Sequence, residues 1–121
     1  MAQKHLSSGD SINILPAINA ATADTAGNIP AQALFKDAQL EVMRLYLPAT
    51  KHIAAHQVDG TITIFCIEGQ VEIQTDHASK ILHTGDLMYL AASASHALTA
   101  IDDSSLLVTI ALQGSAHQAN A

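Results

Sequence analysis

Seven histidines and a single cysteine are the side chains of this chain best suited to chemistry near neutral pH. Two of the histidines, His56 and His96, sit in similar frames of glycines and short β-prone runs. His56 precedes Gly69 by thirteen residues within KHIAAHQVDGTITIFCIEGQVEI, and His96 follows Gly85 by eleven within HTGDLMYLAASASHALTAI. A neutral imidazole offers one lone pair, which can ligate a transition metal or take a proton as a general base. His52, four residues before His56, has the same strand parity and would reach the same face. Cys66 is a soft sulfur donor, and a nucleophile only if a nearby base lowers its pKa. A free cysteine in an apolar strand is more often an inert small hydrophobe. Of the adjacent pair Met88 and Tyr89, one must face inward; a buried Tyr89 phenol would need a hydrogen-bond partner and could orient a ligand.

The elements that must position these groups read as β-strands. Thr61–Ile67 is rich in β-branched residues, Glu68-Gly69 supplies a two-residue turn, and Gln70–Thr75 alternates polar and apolar with period two. Asp76–Ser79 is a turn, Lys80–His83 a short strand, and Thr84-Gly85-Asp86 a second tight turn in which Asp86 accepts backbone hydrogen bonds. Leu87–Leu90, His96–Ile101 and Ser105–Leu112 complete the set. Short strands at this spacing predict an all-β sandwich or barrel. The segment Ala31–Leu47 suits helix or strand equally by propensity, and Pro48 ends either. Residues 1–30 read as loop, with an apolar island at Ile12–Leu15 that suits an edge or swapped strand. The polar tail, 113–121, reads as frayed. His77 in a hairpin turn and His5 and His117 near the ends read as surface residues, and His83 as structural or exposed. Asp102-Asp103 reads as a loop, not an acid–base pair.

Composition narrows the partners. The net charge is -6, and the five cations Lys4, Lys36, Arg44, Lys51 and Lys80 form no stripe. Nucleic-acid binding needs clustered Lys/Arg to displace phosphate counterions, and a membrane surface needs a polybasic patch, so neither partner is expected. The scarce aromatics (Phe35, Tyr46, Phe65, Tyr89) offer no stacking platform. No apolar run approaches the length that crosses a bilayer, the first residues lack the continuous apolar core of a secretory signal, and one cysteine suits a reducing compartment. The expected location is the cytoplasm. No GxGxxG or phosphate-cradling GK[ST] occurs.

The two histidine frames resemble the paired motifs of the cupin superfamily, and the resemblance covers about residues 38–112. With Gly69 as the closing glycine of the first motif, His56 falls on its first histidine, Val58 on its second, Ile62 on its glutamate and Thr50 on its opening glycine. In the second motif Gly85 opens the pattern, Ala91 stands at the usual proline, Ser93 at the usual glycine, His96 on the histidine and Ala100 on the asparagine. The resemblance implies a six- to eight-stranded jelly roll, the double-stranded β-helix barrel, over residues 31–112, and makes Ala31–Leu47 strand. It places a ligand pocket between the sheets, lined by His56, Val58, Ile62, Ile64, Cys66, Tyr89, His96 and Leu98. It also implies a homodimer formed through edge strands, with Phe65 and Ile67 facing outward.

Two of the four usual ligand positions are aliphatic here. That removes one neutral and one anionic donor, dries the cavity and leaves the two-His-one-carboxylate arrangement of non-haem iron incomplete. A divalent transition metal (Fe, Mn, Ni or Zn) would rest on His56 and His96, with His52 first among substitute third ligands and Cys66 and His83 behind it. The leading expectation is therefore a small-molecule-binding cupin with a degenerate or partial metal centre. The alternatives are a metal-dependent dioxygenase or isomerase completed by such a third ligand, and a metal-free epimerase-like enzyme with a histidine base.

Overall fold

The computed structural model describes residues 6–15 and 31–112, so His5, His117, the tail and most of the N-terminal segment lie outside the described residues. Nine strands run along the chain: β1 (Ala31–Lys36), β2 (Leu40–Leu47), β3 (His52–His56), β4 (Gly60–Glu68), β5 (Gln70–Thr75), β6 (Ser79–His83), β7 (Leu87–Leu90), β8 (His96–Ala100) and β9 (Ser104–Leu112). There is no helix among the described residues. The count exceeds the expected six to eight because Ala31–Leu47 forms two strands. The Asp37 carboxylate accepts the amide hydrogens of Gln39 and Leu40 at 2.8 and 2.9 Å, and this Asx turn reverses the chain into a hairpin.

Two antiparallel sheets result, ordered β1-β2-β9-β4-β7 and β3-β8-β5-β6. Alternate residues of each sheet point inward into a continuous core that includes Leu47, Ile64, Cys66, Val71, Ile73, Leu98 and Leu106. This is the jelly-roll arrangement, in which period-two strands bury one face and leave the other to solvent. The N-terminal apolar island takes no part in that core, since Ile12 and Leu15 are exposed. That stretch is not a strand. Two hydrogen bonds attach the segment to the first hairpin, Leu6 N–H to the Leu34 carbonyl at 2.8 Å and the Arg44 guanidinium to the Ile14 carbonyl at 2.9 Å.

The turns carry the register. Gly69 holds φ at 102°, and a Cβ there would collide with the Ser104 side chain and the Asp103 carbonyl, so only glycine fits the β4–β5 hairpin. Asp86 takes the role expected of it, accepting the His83 amide hydrogen at 2.8 Å across the β6–β7 turn. A bulge lies between Cys66 and Glu68, and Ile67 within it is buried without belonging to the core cluster. Ile67 is therefore not exposed to a partner as expected, whereas Phe65, paired with Leu107 and Leu87, does lie on the outer face.

Candidate ligand site

His56 and His96 are direct partners across the β3–β8 ladder. Their ring centroids lie 4.4 Å apart with the planes tilted by 55°. His96 is buried, whereas His56 is exposed at the rim. Each ring is anchored in the same way. Nδ1 of His56 lies 3.2 Å from the Ala54 carbonyl and Nδ1 of His96 lies 3.0 Å from the Ala94 carbonyl, in both cases two residues back along the chain. Each Nε2 is left without a hydrogen-bond partner among the described residues.

The inner faces around this pair follow from the pairings. On its own sheet, Thr75 is the β5 partner of His96, and the next row inward is Ile53, Leu98 and Ile73. On the facing sheet the row at the same end of the barrel comprises Glu41, Ile110, Ile62 and Leu90. The β7–β8 loop closes over this end through Ser93 N–H donated to the Val58 carbonyl at 2.9 Å. The arrangement is thus two imidazoles at one end of an apolar sandwich.

No family model matches the sequence, and no curated protein matches it significantly. Solved structures do. An RmlC-like cupin of Desulfovibrio desulfuricans superposes with a TM-score of 0.72 at 23% identity, covering 84% of this chain and 95% of that one. A cupin superfamily protein of Desulfitobacterium hafniense reaches a TM-score of 0.76 at 14% identity, over 93% and 100% of the two chains. The fold is that of the cupins. A third neighbour, the DMSP lyase DddQ of Ruegeria pomeroyi, has a TM-score of 0.67 at 21% identity and covers 77% of this chain but 51% of its own.

Against the cupin pattern the structure brings together His56, His96, Val58, Ile62 and Leu98 at one end of the sandwich. Ile64 and Cys66 belong to the packed interior rather than to that rim. Cys66 lies four residues beyond Ile62, about 13 Å along β4 at ~3.3 Å per residue. Its thiol donates to the Gly69 carbonyl at 3.5 Å. Burial, and after it the Asp86 charge, pushes the thiol pKa up, which is the opposite of an activated nucleophile. His83 stands beside Asp86 in the exposed turn at that same distant end, with Nδ1 3.6 Å from the carboxylate.

Two expectations are corrected. His52 was counted on the face of His56, but β3 carries a bulge between Ile53 and His56. The extra residue inverts the parity. Ile53 packs inward, while His52 points out and bonds Thr99 Oγ1 at 2.8 Å. Tyr89 was expected in the pocket, yet it pairs with Thr63 on the outer face and is 65% exposed. The inward residue of that pair is Met88, packed against the core.

These placements decide what the site can hold. Among the described residues no three His, Cys, Asp or Glu side chains converge as a metal site. Val58 and Ile62 occupy the other two cupin ligand positions, and neither His52 nor Cys66 replaces them. Two imidazoles with no carboxylate converging on them do not make the donor set that retains a divalent ion. Thr50 and Ser93, standing where cupins carry glycine, hold φ at 74° and 66°. Residues that sequence reading passed over are Thr75, Leu90, Ile110 and Glu41. Strand alternation alone could have found the first three, whereas Glu41 lay in the helix-or-strand segment.

Proposed function

We propose that this cupin binds a small organic molecule at the His56–His96 end of the sandwich, acting as a carrier, sensor or regulatory module. The observation that carries this reading is the histidine pair itself. Both rings are held by a backbone carbonyl through Nδ1, one at the exposed rim and one buried, and no third metal donor converges on them among the described residues. The carbonyl bond on Nδ1 fixes each ring's orientation and leaves its Nε2 for a partner.

The test is elemental analysis of untagged protein purified without chelator, beside a His56→Ala/His96→Ala variant, followed by a thermal-shift screen of small apolar molecules. Stabilising ligands that lose their effect in the variant support the proposal. Near-stoichiometric iron, manganese, nickel or zinc that disappears in the variant would instead favour a metal-dependent enzyme. The lyase activity named for the Ruegeria neighbour is a reason to keep that alternative in the assay.

A second copy of the chain is the proposed partner. β7 is the edge of the five-stranded sheet, and its outward side chains Leu87 and Tyr89 are each 65% exposed beside Phe65 and Leu107. An apolar edge strand of this kind invites pairing with its own copy. No helix among the described residues is long and apolar enough to cross a membrane. With the free Cys66, a reducing compartment such as the cytoplasm is the proposed location.

A further inference from the structure

The tautomers of the two histidines follow from their partners. A backbone carbonyl can only accept a hydrogen bond, so an Nδ1 at 3.0–3.2 Å from one must carry the hydrogen. In a neutral ring the other nitrogen, Nε2, is then a bare acceptor. Apart from Lys80, the remaining polar strand side chains of inner parity at this end also offer acceptors. The Thr75 hydroxyl donates to the Ala78 carbonyl at 3.2 Å and keeps only its lone pairs. Glu41, which shares the inner face with Ile110, is a carboxylate. Lys80 is the one donor of inner parity, paired with Ile73 on the far edge strand β6 and exposed.

From this we infer that the site selects its ligand by hydrogen bonds the ligand donates. The ligand class is a molecule with a donating head, either neighbouring hydroxyls or an ammonium, on a compact apolar body, and carboxylates are refused. The apolar body would meet Val58, Ile62, Leu90 and Leu98. The head would meet two Nε2 lone pairs whose rings are fixed 4.4 Å apart between centroids. A carboxylate placed there would set lone pair against lone pair, with water screening the repulsion least at buried His96. The inference rests on the proposed binding role and adds its chemistry.

The experiment uses the full chain in alkaline buffer with a chelator present, so that stray metal does not occupy the lone pairs. Long-range proton–nitrogen NMR reads which nitrogen of each imidazole carries hydrogen. Four probes of one shape are then titrated: trans-cyclohexanediol, its dimethyl ether, cyclohexylammonium and cyclohexanecarboxylate. The expected result is hydrogen on Nδ1 in both rings, with the Nε2 resonances moved by the diol, the ammonium or both. Whichever of the two moves them identifies the head. The ether and the carboxylate should bind roughly tenfold more weakly or worse, since neither donates a hydrogen bond to the Nε2 lone pairs. Hydrogen on Nε2 of either free ring, or a carboxylate that binds as tightly as the diol, overturns the inference while leaving a binding role intact. Silence from all four probes overturns it too, and the metal-content and ligand-screen comparison then decides the wider reading separately.

Discussion

Thr50 and Ser93, one from each cupin motif, share the same left-handed backbone, with φ of 74° and 66°. An L-residue with a side chain pays roughly 1–2 kcal/mol there, because its Cβ crowds the neighbouring carbonyl. Neither backbone can relax freely. Thr50 N–H is bonded to the Ala100 carbonyl and Ser93 N–H to the Val58 carbonyl, each at 2.9 Å. Thr50→Gly and Ser93→Gly should therefore each stabilise the fold. The gain should be about 0.5–1 kcal/mol once the greater freedom of glycine in the unfolded chain is subtracted. Equilibrium urea unfolding reads this directly. A loss of stability in both variants would show that the strain is not there.

The two motif glycines should respond unequally to alanine. At Gly85, φ is 93° and a Cβ would meet nothing within 4 Å, so Gly85→Ala carries only the conformational cost of roughly 1–2 kcal/mol. At Gly69 the same cost is joined by overlap with Ser104, a fully buried residue whose hydroxyl bonds the Gln70 amide and carbonyl. Gly69→Ala should cost roughly 3 kcal/mol or more, since overpacking against immobile backbone adds to the strain. Thermal denaturation of the two variants side by side gives the comparison, and equal losses would contradict it.

The sequence made the fold readable through features that are local. Period-two alternation, β-branched runs and two glycines at fixed distances from two histidines specify strands and turns, and those are what the chain forms. The candidate site was readable as far as His56 and His96. It failed where a side chain's face depends on pairing. His52 went wrong because parity counting assumes an unbroken strand, and the residue that bulges β3 between Ile53 and His56 has no signature in Ala54-Ala55. Tyr89 went wrong because Met88 and Tyr89 fit either face equally well. Only the register of β7 against β4 chooses between them. Glu41 was passed over because its segment has no decisive propensity until Asp37 turns the chain.

Alkaline pH should weaken the protein through Cys66. Burial and the nearby Asp86 raise its pKa in the folded state. The folded chain therefore keeps this proton where the unfolded chain releases it, so the unfolded state binds fewer protons and stability falls as pH rises. The contribution is complete below the unfolded thiol pKa and is lost between that value and the folded one. Tyr46, raised chiefly by burial and further by Asp103, extends the same trend to higher pH. Cys66→Ala should flatten the first part of the decline, seen as a smaller drop in urea midpoint between neutral and alkaline buffers. An unchanged slope would mean that the thiol ionises alike in both states.

The bulge in β3 makes a prediction that separates His52 from its neighbour. Because His52 faces outward onto Thr99, His52→Ala should change stability by no more than roughly 0.5 kcal/mol, as surface substitutions usually do. It should also leave the binding of a hydroxyl-bearing probe such as trans-cyclohexanediol at the His56–His96 end unchanged. His56→Ala removes one of the two exposed lone pairs with little packing loss and should abolish that binding while the fold survives. His96→Ala should abolish it as well, and should cost roughly 1–3 kcal/mol in addition, because His96 is 4% exposed and its removal leaves a gap beside Leu98. Titration with trans-cyclohexanediol and thermal unfolding of the three single variants provide both readings. Loss of binding in His52→Ala equal to that in His56→Ala would place the two rings on one face and undo the bulge.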